Sequence, residues 1–123
     1  MIARIWQGAV PEARGDAYFE YLRETGLEEY GSTEGNRGVV VLRRNRAGRA
    51  EFLLLSLWES YEAIRRFAGP EMERAVYYPR DKDFLLELSP GVDHYGVEFD
   101  SRRASSRPRR RGGRPRTSRR RTR

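Results

Sequence analysis

From Ile2 to Gly8 the chain mixes β-branched and aromatic residues with polar ones, which predicts a first strand. Beyond it, Ala17, Tyr18, Tyr21 and Leu22 share one stripe at helical spacing, with Arg14, Asp16, Glu20, Arg23 and Glu24 mostly outside it. Pro11 suits the first turn of that helix, where its missing N–H would be unpaired anyway, and Gly26 offers a stop. Gly31 to Gly38 reads as a loop. Val39 to Arg44 and Glu51 to Trp58 then predict a hairpin around a turn at Asn45 to Arg49. Ser60 is a good N-cap for a second helix carrying Tyr61, Ile64, Phe67 and Ala68, and Gly69-Pro70 ends it. A further short helix is expected over Pro70 to Tyr77, a polar loop at Pro79 to Asp83 and a last strand over Val92 to Phe99. The pattern over Phe84 to Leu88 assigns no element.

The resulting order, β-α-β-β-α-β, predicts an α+β fold of ferredoxin-like topology, with four strands in an antiparallel sheet and both helices on one face. Such a sheet normally shows its other face to water. Here Phe52, Leu54 and Trp58 point one way and Leu53, Leu55 and Leu57 the other, while Val39 and Val41 alternate with Val40 and Leu42. Leaving the second face in water would forgo roughly 1.5–3 kcal/mol for each large side chain that burial would cover. A second copy packing sheet against sheet is the simplest cover, so a homodimer is expected.

Charge divides the 123 residues unevenly. Residues 101–123 hold 12 of the 25 Lys and Arg and none of the 18 Asp and Glu, so residues 1–100, with 13 basic against 18 acidic side chains, carry −5. The overall +7 describes neither part. One domain is expected over residues 1–100, followed by an Arg-rich tail whose lack of large apolar groups leaves nothing to offset its ordering entropy, so that it stays disordered. The tail suits nonspecific binding of nucleic acid or other polyanions, or is an extension with no selected role. The absence of cysteine excludes disulfides, thiolate metal sites and cysteine nucleophiles. No stretch approaches the roughly 20 apolar residues of a membrane span, and the N-terminus lacks a secretory pattern, so a cytoplasmic protein is expected.

Several local words carry a family likeness: Met1-Ile-Ala-Arg-Ile-Trp6, Phe52 to Trp58 followed by Glu59-Ser60, Ala63 to Gly69, and His94-Tyr95. Together, over roughly residues 1–99, they resemble the antibiotic biosynthesis monooxygenase-like family. The resemblance implies a dimeric α+β barrel with a small pocket between sheet and helices in each subunit. It also implies an activity drawn from cofactor-free oxidation of aromatic polyketides, haem degradation or none known. The haem-degrading branch uses an Asn on the first strand, a Trp on the second helix and a His just beyond it. Here Gln7, Phe67 and Tyr77 fall at those positions, which disfavours haem.

His94 is the chain's one histidine, and thus the one side chain expected to titrate near neutral pH unaided. It is either a hydrogen-bonded histidine on a half-buried strand or the base that removes an acidic proton from a phenol or activated carbon, whose anion then reduces oxygen. Trp6, Trp58, Phe67, Tyr77 and Tyr78 can wall an apolar pocket for a planar ligand or simply build the core, and Arg4 or Gln7 can hold a developing oxyanion. No metal-ligand spacing, phosphate loop, or flavin or nicotinamide fingerprint is present, so no cofactor is expected. An RNA-recognition motif would need two stacking aromatics on the third strand, where Glu51 and Leu53 stand instead. The expected function is cofactor-independent monooxygenation of a small hydroxylated or quinol-type aromatic. The alternatives are a noncatalytic homodimer that binds a small apolar ligand, or polyanion binding through the tail.

Overall fold

The computed structural model describes residues 1–102. The expected disorder of residues 101–123 therefore lies outside the described residues, apart from Ser101 and Arg102. Four strands, β1 (Ile2–Pro11), β2 (Asn36–Arg46), β3 (Arg49–Trp58) and β4 (Asp93–Gly96), form one sheet in the order β2-β3-β1-β4. Every neighbouring pair is antiparallel, as the ferredoxin-like pattern requires. The β2–β3 turn places Ala47 (φ 54°) and Gly48 (φ 75°) in the left-handed region, the backbone twist that suits a tight hairpin.

Pairing runs Arg4 opposite Ser56 on β3 and opposite His94 on β4, so these three side chains share the helix-bearing face. On that face Trp6, Val10, Ala50, Phe52, Leu54 and Trp58 meet Tyr18 and Leu22 of α1 (Gly15–Glu24), Tyr30 of α2 (Gly26–Ser32) and Ile64 and Phe67 of α3 (Tyr61–Ala68). Ser60 caps α3 as its composition promised, its hydroxyl accepting the Ala63 N–H at 3.1 Å. On the opposite face Val40, Leu42 and Tyr95 are 43, 50 and 53% exposed, and Ile5, Leu53 and Leu55 are half-buried.

Several local expectations are corrected. Pro11 ends β1 opposite Arg49, and a single 3-10 turn (Glu12–Arg14) intervenes before α1. Helix α1 does end at Glu24, beside the stop expected at Gly26, but the chain breaks at Thr25 and restarts at Gly26 as α2, which carries Tyr30 into the core. Residues 70–77 form no helix. Met72 and Arg74 give their carbonyls to the Arg4 guanidinium, while Ala75 N–H and Glu73 C=O bond to Pro90 and Val92. The short α4 (Asp81–Phe84) instead occupies the expected polar loop, and β4 is shorter than the expected strand. Phe84 and Leu85 prove to be core residues, and the Leu86 N–H donates to Ala9 C=O at 2.9 Å, continuing the sheet edge past β4.

Candidate active site

Between the sheet, α1 and α2, and a long strap of residues 69–92 lies a cavity of about 30 Å³. The sheet supplies Arg4, Trp6 and Leu54, the helices Tyr18, Leu22, Tyr30 and Phe67, and the strap Tyr77, Tyr78 and Asp81. The free volume suits one water molecule. The strap is the wall that is held in neither the sheet nor a long helix.

Arg4 is 2% exposed. Its Nη1 donates to Met72 C=O and its Nη2 to Arg74 C=O at 3.0 Å, which ties the strap to the sheet. Nη1 also lies 3.0 Å from Nε2 of His94. A guanidinium only donates, so Nε2 is the acceptor and the imidazole is neutral with its proton on Nδ1. Burial lowers the Arg4 pKa, with the Tyr30 hydroxyl and the charge of Glu73 pushing it back up, and guanidinium remains charged in proteins. No carboxylate among the described residues forms an ion pair with it, and its Nε–H is a buried donor without an acceptor there. A buried cation satisfied by neutral groups alone, with one donor spare, favours an anionic oxygen nearby.

The aromatic walls are held by their polar tips. Trp6 Nε1–H donates to the Tyr77 hydroxyl at 3.3 Å, and the Tyr77 hydroxyl in turn donates to Ser89 C=O. Tyr78 bonds Glu29 of α2. Gly8 is what lets the indole lie along β1, since a Cβ there would stand 2.4 Å from the Trp6 ring.

Of the residues singled out from sequence, Arg4, Trp6, Phe67, Tyr77 and Tyr78 converge on this cavity. Trp58 is fully buried beside Tyr30 and Phe67, off the cavity wall, with its Nε1–H donating to Ser56 Oγ at 2.8 Å. Gln7 points to the other side of the sheet, into a wider depression of about 530 Å³ with Arg43, Arg44, Arg46 and Arg49. His94 faces the helix side but stands behind Arg4, its ring edge against Tyr61 at 6.2 Å. Burial and then the charge of Arg4 hold its pKa below the ordinary value.

Tyr18, Tyr30 and Asp81 are wall residues that sequence reasoning did not select. Tyr18 was visible only as part of a helical stripe, and Asp81 as one acid in a polar loop. Asp81 is 4% exposed, accepting the Tyr18 hydroxyl on Oδ1 at 3.0 Å and the Tyr78 N–H on Oδ2 at 2.6 Å.

Comparison with protein-family models and with curated proteins finds no match. Among solved structures, a Bacillus cereus protein named for antibiotic biosynthesis monooxygenases is similar at 24% identity and a TM-score of 0.51, over 80% of this chain and 94% of its own. A point mutant of MhuD, solved with two manganese protoporphyrin IX molecules per active site, is similar at 17% identity and a TM-score of 0.52, over 81% of this chain and 97% of its own. The fold is thus that of the antibiotic biosynthesis monooxygenase-like proteins.

A porphyrin does not fit the residues present. Gln7 is on the wrong face, Phe67 carries no ligand atom, and the Tyr77 hydroxyl is committed to Trp6 and Ser89. Among the described residues no group of three or more His, Asp or Glu could hold a metal ion.

Proposed function

We propose that the chain is a homodimeric, monooxygenase-like protein that binds a small hydroxylated or quinol-type aromatic and oxidises it with dioxygen, using neither metal nor flavin. The observation that carries this reading is the buried Arg4 guanidinium, which has no carboxylate ion-pair partner and a spare Nε–H among the described residues, on the wall of an aromatic cavity. Such a group stabilises the oxyanion formed when an acidic C–H or O–H next to a ring is lost, and Trp6, Tyr77 and Phe67 supply flat apolar surface for the ring.

For an anthrone-type substrate the balance is simple. Loss of one methylene proton leaves an electron pair delocalised onto the carbonyl oxygen, where Arg4 holds it. The carbanion carbon adds dioxygen to give a peroxide, which takes up a proton. Loss of the second C–H proton then breaks the O–O bond, forms the new carbonyl and releases water. One dioxygen is consumed, with one oxygen atom in product and one in water.

The test is oxygen uptake by the full chain with anthrone and with hydroquinones. Turnover in the wild type, with kcat/KM lowered about 100-fold or more in Arg4→Met, supports the reading. Tight binding without oxygen uptake would favour a noncatalytic dimer that binds a small apolar ligand, a reading supported by the aromatic lining of the cavity.

A further inference from the structure

We infer that Asp81 is the proton acceptor of this cavity, working as a carboxylate oriented by Tyr18. The inference rests on the reading of the site as one that removes a proton from an acidic aromatic, and it names the group that does so.

Asp81 and His94 both lie near the cavity, and their positions differ. His94 is not on the wall, and its basic Nε2 is already occupied by the Arg4 donor at 3.0 Å. Using it would first require breaking that bond, and would then create an imidazolium beside a guanidinium. Asp81 is on the wall and 4% exposed, and it has no ion-pair partner among the described residues. Each of its oxygens accepts one hydrogen bond, from Tyr18 and from the Tyr78 backbone, whereas a carboxylate offers about four lone-pair sites. Capacity to accept a proton therefore remains after both structural bonds are made.

The surroundings tune it. The titratable groups facing Asp81 are Tyr18 from α1 and Tyr77 and Tyr78 from its own segment, all neutral phenols held above their ordinary pKa chiefly by burial. Neighbouring Arg80 is turned outward over the Tyr21 and Phe84 rings. Burial raises the Asp81 pKa, and the hydrogen bonds from Tyr78 and Tyr18 bring it part of the way back. A carboxylate raised in this way is a stronger base than a surface aspartate.

In the balance above, Asp81 takes the first methylene proton and returns it to the peroxide. It then takes the second C–H proton and delivers it to the departing hydroxide as water. Arg4 holds the oxyanion at the same cavity throughout.

The experiment separates this step from oxygen chemistry. Anaerobically, in D2O, the full-length protein should accelerate exchange of the anthrone methylene hydrogens, followed by proton NMR. Asp81→Asn, which keeps an acceptor for Tyr18, should lose this acceleration by about 100-fold or more. The rate should fall on acidification through a limb above the ordinary aspartate range, and that limb should persist in His94→Gln. Tyr18→Phe should move the limb to higher pH, because the lost hydrogen bond had favoured the carboxylate. Tyr18→Phe decides the matter should Asp81→Asn fail to fold. No exchange above buffer in the wild type, full exchange in Asp81→Asn, an unmoved limb in Tyr18→Phe, or a limb lost in His94→Gln would each overturn the inference. Exchange without oxygen uptake would instead leave Asp81 as the base and overturn the oxygenase reading alone.

Discussion

Nε2 of His94 accepts a hydrogen bond from Nη1 of Arg4 at 3.0 Å, so the chain's one histidine is paired with a buried cation. Protonating the imidazole would remove the acceptor and set two positive charges side by side. Its pKa is accordingly held below the ordinary value of about 6.5, by burial first and Arg4 second.

This pairing makes stability depend on pH in a definite direction. Between the depressed folded value and about 6.5 the unfolded chain binds more protons than the native one, so stability falls as pH drops through that window. His94→Gln, which can still accept from Arg4 but does not titrate, should flatten the slope. Urea midpoints measured from pH 7.5 to 5 check it, and identical slopes in both proteins would show that His94 is not held neutral.

Gly8→Ala should deform the cavity without unfolding the domain. The added Cβ would stand 2.4 Å from the Trp6 ring and 3.1 Å from Leu85, so the indole must swing away and loosen its bond to Tyr77. An overpacking cost of about 1–3 kcal/mol is expected. The thermal midpoint and the tryptophan emission maximum report it; an unchanged emission spectrum would contradict the placement of Trp6.

The second sheet face motivates dimerisation. Val40, Leu42 and Tyr95 are largely exposed beside half-buried Ile5, Leu53 and Leu55. Sedimentation of the chain truncated after Phe99 should give twice the monomer mass at micromolar concentration, and Leu53→Glu should give a monomer, because a carboxylate facing its own copy is desolvated without a partner. A folded monomer of the truncated wild type would remove the argument.

Charge segregation motivates the last test. Because residues 101–123 contain 12 arginines and no acid, deleting them should abolish retention on a heparin column at low salt. The thermal midpoint should hold within about 2 °C, since ~0.5 kcal/mol is the usual scale for changes outside the packed core. Unfolding on truncation would place the domain boundary elsewhere.

Alternation and capping along the chain determined most of the framework. The Val39 to Leu42 and Phe52 to Trp58 runs specify two apolar sheet faces, and Ser60 with Gly69 brackets α3, because period and cap chemistry act within a few residues. That local logic also picked out Arg4, Trp6 and Phe67, since polar or aromatic side chains on core-facing positions stand out against their neighbours, whereas Tyr77 and Tyr78 stood out only as aromatics just before Pro79. The strap of residues 69–92 has no such period, and sequence placed a helix at its start and a loop at α4. Only the tertiary structure decided it, because its conformation is set by bonds to distant groups. Arg4 takes the Arg74 carbonyl 70 residues away, and Tyr18 takes Asp81 across 63. The same distance hid the site's second polar group: an aspartate among charged neighbours becomes a buried wall residue only when a tyrosine on another helix closes over it.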